Sequence, residues 1–216
     1  MEKSNWVPTP TYMMRKKIIL EYIRNNNLKV DNFLEIGIGT GDMIDSLSPY
    51  FVSGIGTDIG REAIELAKHN ISDSKIKFEL KDIFESQEKD KYQLIVALEV
   101  IEHIEDDKGA INKINDLLTE DGKFIMSVPA HQRKWSIMDR WAGHYRRYEK
   151  KDLIKLFEEN GFEVEKFYNY GFPLTNMLWF IRKRLEKSHD IMNSKIENTT
   201  RSGIDRHRVN KFSFLF

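Results

Sequence analysis

The chain has 216 residues, of which 40% are hydrophobic and 31% charged, a composition typical of one globular domain. Lys and Arg together number 34, as do Asp and Glu, so the zero formal net charge gives no support for non-specific binding to nucleic acid. The sequence contains no cysteine, which excludes disulfides, iron–sulfur clusters, thiolate zinc sites and cysteine nucleophiles.

The N-terminal region predicts an extended segment followed by a helix. Residues 6–12 contain two prolines, which fix the backbone and remove hydrogen-bond donors. From residue 13 to 25 apolar side chains recur at helical spacing. No signal-peptide core precedes them, and no window of the chain reaches the roughly 18 apolar residues of a membrane span. The predicted location is the cytoplasm.

An apolar run over residues 33–36 is followed by glycines at every second position: Gly37, Gly39 and Gly41. The run predicts a buried strand, and the glycines predict a tight turn against which a ligand can lie. The dinucleotide fingerprint G-x-G-x-x-G requires glycine where this chain has Asp42. The carboxylate of Glu35 suits a ligand with an ammonium group better than a pyrophosphate. The stretch therefore indicates a nucleotide-type pocket.

Strands and helices then alternate along the chain. Further strands are predicted at 52–58, 76–80, 92–98 and 123–128, and helices at 42–47, 61–70, 108–118 and 149–160. This alternation predicts an α/β fold with a doubly wound, mostly parallel sheet in three α-β-α layers. Asp58 ends the second strand, where a carboxylate can accept hydrogen bonds from both ribose hydroxyls.

The E-x-G-x-G-x-G motif at 35–41 and the order of the five strand–helix units resemble class I S-adenosylmethionine-dependent methyltransferases. L-E-V-I-E-H-I at 98–104 is similar to the small-molecule members of that family. V-P-A-H at 128–131 and G-H-Y-R-R-Y at 143–148 are similar to a bacterial subgroup. The D/N-P-P-Y type motif of amino-methylating DNA enzymes is absent after the fourth strand, which counts against DNA as substrate.

The resemblance implies S-adenosylmethionine as the cofactor. No metal site is predicted. It assigns Glu35 to the methionine ammonium, Asp58 to the ribose, and Asp82 with Ile83 to adenine. The implied floor of the pocket is the glycine turn. The complete implied set is Glu35, Gly37, Ile38, Gly39, Gly41, Asp58, Ile59, Asp82, Ile83, Leu98 and Glu99.

Two alternatives apply to the loop after the fifth strand, which overhangs the pocket in folds of this kind. Its arginines could position a hydroxyl or anionic group of the substrate, since a guanidinium forms two parallel hydrogen bonds. They could instead pair with acids such as Glu149 and Asp152 and pin the loop. The candidate substrate-binding residues, including one from the N-terminal segment, are Tyr12, Trp135, Arg146, Arg147 and Tyr148.

The predicted activity is methyl transfer to a small-molecule acceptor, with an oxygen acceptor favoured. Such an acceptor needs a general base, and the candidates are His103, His131 and His144, in that order. A histidine at position 103 could equally be a hydrogen-bonded structural residue. The alternatives are an S-adenosylmethionine-binding pseudo-enzyme and an NAD(P)-dependent oxidoreductase. The sequence identifies neither the acceptor nor the oligomeric state.

The C-terminal part is predicted to close the domain, which spans residues 1–187, and to end in a polar tail over 188–216. A sixth strand is predicted at 162–170 and a helix at 173–187. The helix carries aromatic and basic residues that suit a peripheral contact with a membrane, although core packing or a lid is favoured. Class I methyltransferases end with a seventh, antiparallel strand. Either the last apolar residues supply a short one or the chain stops before it.

Overall fold

The computed structural model describes residues 8–86 and 91–170. The strands are β1 (Val30–Ile36), β2 (Phe51–Asp58), β3 (Ile76–Leu80), β4 (Tyr92–Leu98) and β5 (Leu118–Ser127). The helices are α1 (Pro10–Asn25), α2 (Asp42–Leu47), α3 (Arg61–Asn70), α4 (Asp107–Leu117), α5 (Ile137–Ala142) and α6 (Lys150–Glu158). Short 3-10 helices lie at Ser48–Tyr50, Ile83–Glu85, Ile101–His103 and Gln132–Lys134.

The five strands form one parallel sheet in the order β3-β2-β1-β4-β5. In the middle of the sheet, Leu34 lies between Ile55 of β2 and Ile95 of β4. From β1 the chain proceeds towards one edge, and from β4 it proceeds towards the other. The carboxyl ends of β1 and β4 therefore form the switch point at which ligands of doubly wound folds bind.

Successive residues of the central strands point to opposite faces, and both faces are buried. Phe33 belongs to a core with side chains from α1, α2 and α3, whereas Leu34 belongs to a second core with side chains from α4 and α6. In the same way Val96 lies in the first core and Ala97 in the second. A parallel strand covered on both faces is mostly apolar, as the buried parts of these strands are apart from Glu35. The predicted three-layer, doubly wound fold is confirmed.

Several element boundaries differ from the sequence prediction, and the starts of α1 and β5 have a clear physical reason. Helix α1 begins at Pro10, so residues 10–12 are helical and not extended. Proline is compatible with a first helical position, and the hydroxyl of Thr9 caps the helix by accepting from the Tyr12 amide at 3.2 Å. Strand β5 begins at Leu118 and not at residue 123. Its pairing with β4 shifts register between Leu118 and Lys123, so the residues predicted to form a turn lie within the strand as an irregularity.

The structure assigns no strand to residues 162–170, so the predicted sixth strand is not present there. Phe162 and Val164 pack against the second core, and Glu165 accepts from the Tyr22 hydroxyl at 2.9 Å and contacts Lys123. The alternation of apolar residues in this segment thus reflects side-chain packing on the second core and not hydrogen bonding to a neighbouring strand. The predicted helix at 173–187, its membrane-facing residues, the polar tail and any seventh strand lie outside the described residues. Within residues 8–86 and 91–170, no helix has the length and apolar character needed to cross a membrane.

Replacing Phe33 by alanine should lower the free energy of unfolding by about 3–5 kcal/mol. The side chain is fully buried, and its ring stacks on Phe51 with centroids 4.8 Å apart. Chemical denaturation of the purified protein measures the loss. Val52→Ala is the control in the neighbouring strand, because Val52 is 67% exposed, and it should cost less than about 1 kcal/mol. Equal losses in the two variants would contradict the assignment of Phe33 to the core.

Candidate active site

The turn after β1 is built from three glycines with positive φ angles. Gly37, Gly39 and Gly41 have φ values of +73°, +53° and +81°. A Cβ atom at Gly37 would lie 2.4 Å from Val100 Cγ2, and one at Gly41 would lie 2.4 Å from Ile71 Cδ1. A Cβ atom at Gly39 would meet no atom within 4 Å. Gly37 and Gly41 are therefore required for packing, whereas Gly39 presents bare backbone to open space.

Asp58 holds this turn from the neighbouring strand. Its carboxylate accepts from the Gly39 amide at 3.1 Å and from the Gly60 amide at 2.8 Å. Burial raises the pKa of Asp58, and these backbone hydrogen bonds oppose the increase. The Ile59 amide also contributes a backbone hydrogen bond, and a carboxylate with about four acceptor positions keeps part of its capacity for ligand hydroxyls. The adjacent Ile59 is 52% exposed and can contact a ligand on the same side.

Glu35 is a buried carboxylate with an unsatisfied oxygen. Its side chain is 3% exposed, and within the described part of the chain its Oε2 atom has no hydrogen-bond partner. Burial raises the pKa of Glu35 well above its usual range, a hydrogen bond from the Ile44 amide opposes this, and the nearby charges of Asp42 and Asp58 add to it. A cationic ligand group beside Oε2 would offset the cost of the buried charge.

Helix α1 is attached to this region by three polar side chains. The Tyr12 hydroxyl and Lys16 Nζ each donate to Asp42 Oδ2 at 2.6 Å. Arg15 Nη1 lies 2.7 Å from Glu99 Oε1 and donates to Ser127 Oγ at 2.6 Å. These contacts hold the helix at the carboxyl end of the sheet.

The roles of Arg15 and Ser127 are not predicted from the sequence. A charged residue in an amphipathic helix ordinarily faces solvent. One signal was available, since Arg15 lies one and two helical turns before the buried Ile19 and Ile23 and so falls on the same stripe. The contact between Arg15 and Glu99 also occupies one oxygen of a residue assigned to the cofactor.

The remaining predicted cofactor residues lie at the same edge of the sheet with different degrees of exposure. Ile38 packs in the first core over Gly56, and Ile83 packs in the second core. Asp82 Oδ1 accepts from the Phe84 amide at 2.9 Å, and the Phe84 ring is 47% exposed. Leu98 is partly buried against the first core. The side chains of Ile38 and Ile83 are buried, so their contact with the cofactor stays a prediction, whereas Ile59 and Phe84 are exposed hydrophobic side chains in this region.

Two of the three candidate histidines meet at the end of β4. The rings of His103 and His144 are perpendicular, with centroids 4.7 Å apart, and Glu102 lies beside them. One ligating atom from each of Glu102, His103 and His144 lies within 4.8 Å of the other two. We call these three residues the acid–histidine cluster. His131 lies elsewhere, with its Nδ1 atom 3.4 Å from Glu149 Oε2.

Glu102 is the buried member of the cluster. Its side chain is 0% exposed, and neither carboxylate oxygen has a hydrogen-bond partner among the described residues. Burial raises the pKa of Glu102 well above its usual range, and the nearby charge of Glu99 adds to the increase. The Glu102 carbonyl accepts from the Tyr145 amide at 2.8 Å, which fixes the loop that carries His144 against it.

His144 is oriented by a carboxylate. Its Nδ1 atom lies 2.9 Å from Asp139 Oδ1, and Arg147 Nε donates to the same oxygen at 2.8 Å. Although burial raises the pKa of Asp139, hydrogen bonds from His144 and Arg147 hold it at about 2. The ionised carboxylate only accepts, so Nδ1 of His144 carries the proton. The other nitrogen, Nε2, lies 4.0 Å from Glu102 Oε1.

The arginines of the overhanging loop are committed to contacts within the chain. Arg146 pairs with Asp107 at 2.6 Å, and Tyr148 donates to the same carboxylate at 2.8 Å. Arg147 pairs with Asp139. These contacts agree with the alternative in which the arginines pin the loop, but the partners are not the predicted acids.

Glu149 instead accepts from the Gln132 amide at 3.0 Å and contacts His131. Trp135 is partly buried just after the 3-10 helix Gln132–Lys134. Direct substrate contacts by Tyr12, Trp135, Arg146, Arg147 and Tyr148 stay a prediction.

The chain is similar to known methyltransferases over most of its described length. Residues 13–166 match the family described as "Methyltransferase domain". Ubiquinone biosynthesis O-methyltransferase of Pelagibacter ubique is 28% identical over 193 residues, which cover 81% of this chain and 80% of that protein. Nodulation protein S of Azorhizobium caulinodans is 32% identical over 107 residues, which cover 47% of this chain and only about half (52%) of that protein.

Among solved structures, the N-methyltransferase NodS from Bradyrhizobium japonicum WM9 in complex with S-adenosyl-L-homocysteine is similar in fold. Its TM-score is 0.57 at 23% identity, and the match covers 70% of this chain and 75% of that one. The turn described above fits S-adenosylmethionine. The unsatisfied Glu35 oxygen suits its ammonium group, and Asp58 retains acceptor capacity for its ribose hydroxyls. The open space over Gly39 allows part of the ligand to lie directly against the backbone.

Gly39→Ala should weaken S-adenosylmethionine binding at least about tenfold while lowering the free energy of unfolding by about 1–3 kcal/mol. The added methyl group enters the space for the ligand, and the protein carries only the strain of a positive φ angle. Gly41→Ala is the matched variant, with similar strain plus the clash with Ile71, and should be the less stable of the two. Calorimetric titration and thermal unfolding measure the two effects. A Gly39→Ala protein with wild-type affinity would contradict the placement of the cofactor.

Glu35→Gln should weaken S-adenosylmethionine binding by about 10- to 100-fold and make the ligand-free protein more stable at neutral pH. The variant loses a charge-assisted contact with the ligand, and it also loses the cost of a buried, half-satisfied carboxylate. Calorimetry and thermal unfolding at pH 7 measure the two changes.

The pH dependence of stability follows from the same group. Because the folded-state pKa of Glu35 is raised, its contribution to stability is complete below the unfolded-state pKa of about 4.3 and is lost as the pH rises through the folded-state value. The free energy of unfolding of the ligand-free wild type should therefore fall relative to that of Glu35→Gln over this rise in pH. A constant difference between the two proteins across the range would contradict the burial of an ionisable Glu35.

Proposed function

Because the chain belongs to the methyltransferase-domain family and is an S-adenosylmethionine-dependent methyltransferase, we propose that it methylates a hydroxyl oxygen of a small-molecule acceptor. The observation that carries this proposal is the acid–histidine cluster, in which the carboxylate of Asp139 orients His144 at the carboxyl end of β4. The family assignment also disfavours the NAD(P)-dependent oxidoreductase considered from the sequence.

The cofactor side of the site is formed by the glycine turn and its neighbours. Glu35 would hold the ammonium group, Gly39 would allow close approach, and Asp58 would hold the ribose hydroxyls. When bound, S-adenosylmethionine supplies a methyl group that its positively charged sulfur releases to a nucleophile. The protein therefore needs chiefly to hold both reactants in line, which can supply roughly 7–11 kcal/mol of the barrier.

The acceptor side follows from the position of the cluster. The Val100 side chain lies directly beside Gly37, so the residues that follow β4 lie next to the glycine turn. Glu102 and His103 follow Val100 closely in the chain, and the overhanging loop brings His144 beside them through the contact between the Tyr145 amide and the Glu102 carbonyl. An acceptor between the turn and the cluster would place its hydroxyl near His144 Nε2, whose lone pair is free of the proton held on Nδ1.

An oxygen acceptor is favoured over a nitrogen acceptor because of this proton chemistry. A hydroxyl group is a weak nucleophile until its proton is removed, whereas a neutral amine attacks through an existing lone pair. An oriented histidine backed by a carboxylate supplies that proton acceptor. The zero net charge of the chain supports a small acceptor over nucleic acid. The relatives named for ubiquinone O-methylation and the neighbour named as an N-methyltransferase show that both acceptor atoms occur on similar folds.

The test is a set of paired acceptors that differ only in the reacting atom, such as phenols and the corresponding anilines. Purified protein is incubated with S-adenosylmethionine and each acceptor, and mass spectrometry quantifies S-adenosylhomocysteine and the methylated product. We expect methylation of hydroxyl acceptors. His144→Asn should lower the turnover number by about 10²–10⁴-fold and leave cofactor affinity unchanged.

His69→Asn is the control, because His69 is exposed at the end of α3 and distant in sequence from the cluster. It should retain wild-type turnover. Methylation confined to amines, or wild-type turnover of a hydroxyl acceptor by His144→Asn, would overturn the proposal.

A further inference from the structure

We propose that Glu102, His103 and His144 form a binding site for a divalent transition-metal ion of the zinc type. No metal site is predicted from the sequence, and the 41 positions from His103 to His144 give no ligand spacing that would suggest one. The tertiary structure brings one ligating atom of each within 4.8 Å of the others. The site itself does not depend on the proposed acceptor.

The carboxylate of Glu102 is the first independent support. It is completely buried, and both of its oxygens lack hydrogen-bond partners among the described residues. Buried polar groups in proteins are nearly always satisfied, and an isolated buried carboxylate is strongly unfavourable. Two unsatisfied oxygens facing two imidazoles are explained by a cation that lies between them.

The surroundings of His144 are the second support. Histidine ligands of metals characteristically donate their other ring nitrogen to a carboxylate, which fixes the tautomer and the ring orientation. Here Asp139 accepts from Nδ1 at 2.9 Å, and Asp139 is itself held by Arg147 Nε and the Ser136 amide, both at 2.8 Å. Nε2 is thereby left as the ligating atom, 4.0 Å from Glu102 Oε1.

The spacing of the cluster agrees with a site that closes on its ion. Zinc bonds to nitrogen and oxygen of about 2.0–2.2 Å in a tetrahedron place neighbouring ligand atoms about 3.4 Å apart. The 4.0 Å between His144 Nε2 and Glu102 Oε1 therefore has to shorten by about 0.6 Å, a movement within the reach of side-chain torsions. During this movement the hydrogen bond from the Tyr145 amide to the Glu102 carbonyl holds the two backbone segments together.

The donor set selects the kind of ion. Two imidazoles and one carboxylate are the protein ligands of many catalytic zinc sites, which keep a fourth position open. Magnesium and calcium prefer oxygen ligands, so the two nitrogens disfavour them. A zinc-type ion with an open position could also bind the acceptor oxygen and favour loss of the hydroxyl proton to solvent. That role, unlike the site, rests on the proposed O-methylation, and with the ion bound His144 acts as a ligand and not as the base.

The direct test is metal binding by the full chain without any acceptor. Protein stripped with a chelator is titrated with Co²⁺, and visible absorption reports coordination by nitrogen and oxygen. Calorimetry with Zn²⁺ gives the stoichiometry and affinity, and Mg²⁺ serves as a competitor. We expect one Co²⁺ or Zn²⁺ per chain and no displacement by a comparable concentration of Mg²⁺. Wild-type protein that binds neither ion would overturn the proposal.

Variants locate the ion. Glu102→Gln keeps the shape of the side chain and removes the charge, and His144→Asn removes one nitrogen ligand; each should lower the affinity by more than the 10- to 100-fold typical of an outer-shell loss. Asp139→Asn should fall within that 10- to 100-fold range, because it removes only the orienting carboxylate. His69→Asn should bind as wild type. Wild-type affinity in either ligand variant, with circular dichroism showing that it is folded, would place the ion elsewhere and overturn the proposal.

The metal site and the proposed reaction fail in different ways. Binding of one ion together with methylation of amines alone supports the site and contradicts O-methylation. Methylation of hydroxyl acceptors by protein that binds no ion supports O-methylation and contradicts the site. In that case the cluster works through His144 as the proton acceptor.

Discussion

The contact between the ends of β1 and β4 is the constraint on which the site depends. The two strands are neighbours in the sheet although the strands β2 and β3 and the helices α2 and α3 lie between them in the chain. Their pairing brings the glycine turn against Val100, and at Gly37 no side chain larger than hydrogen fits. Ligands of doubly wound folds bind at such an edge, where the chain turns away in opposite directions on its two sides.

Several charged side chains are buried at this edge, where they lower the stability of the folded protein. Glu35 and Glu102 are both buried carboxylates with unsatisfied oxygens, and Arg15 is a buried guanidinium that pairs with Glu99. Replacing such groups by apolar residues is often neutral or stabilising, so their presence points to a role other than folding. A positively charged partner would satisfy each carboxylate, and we propose the ammonium group of the cofactor at Glu35 and a metal ion at Glu102.

The overhanging loop illustrates how a second set of charges serves order and not recognition. Arg146 and Tyr148 share Asp107, and Arg147 and His144 share Asp139. These pairs hold a segment with little regular structure over the sheet, and they aim His144 at Glu102. In the described structure the G-H-Y-R-R-Y segment thus supports one histidine, and its arginines are paired with acids of the chain.

The local sequence determined the fold and the cofactor side of the site. Alternating apolar strands and periodic helices encode the sheet, and residues 35–41 encode the turn in a single continuous stretch. Such features depend on neighbouring residues, so a one-dimensional pattern reveals them. The same logic failed at residues 162–170, where alternation reflects packing on the second core and not pairing with a strand.

The tertiary structure alone decided which polar residues meet. The sequence proposed three histidines in the order His103, His131 and His144, but only folding showed that the first and third share a site with Glu102 while the second faces Glu149. It likewise showed Arg15 as a buried partner of Glu99, and Asp107 and Asp139 as the acids that bind the loop arginines. Side chains far apart in the chain are brought together by the order of the strands and the path of the loops. A local sequence pattern contains no information about such contacts.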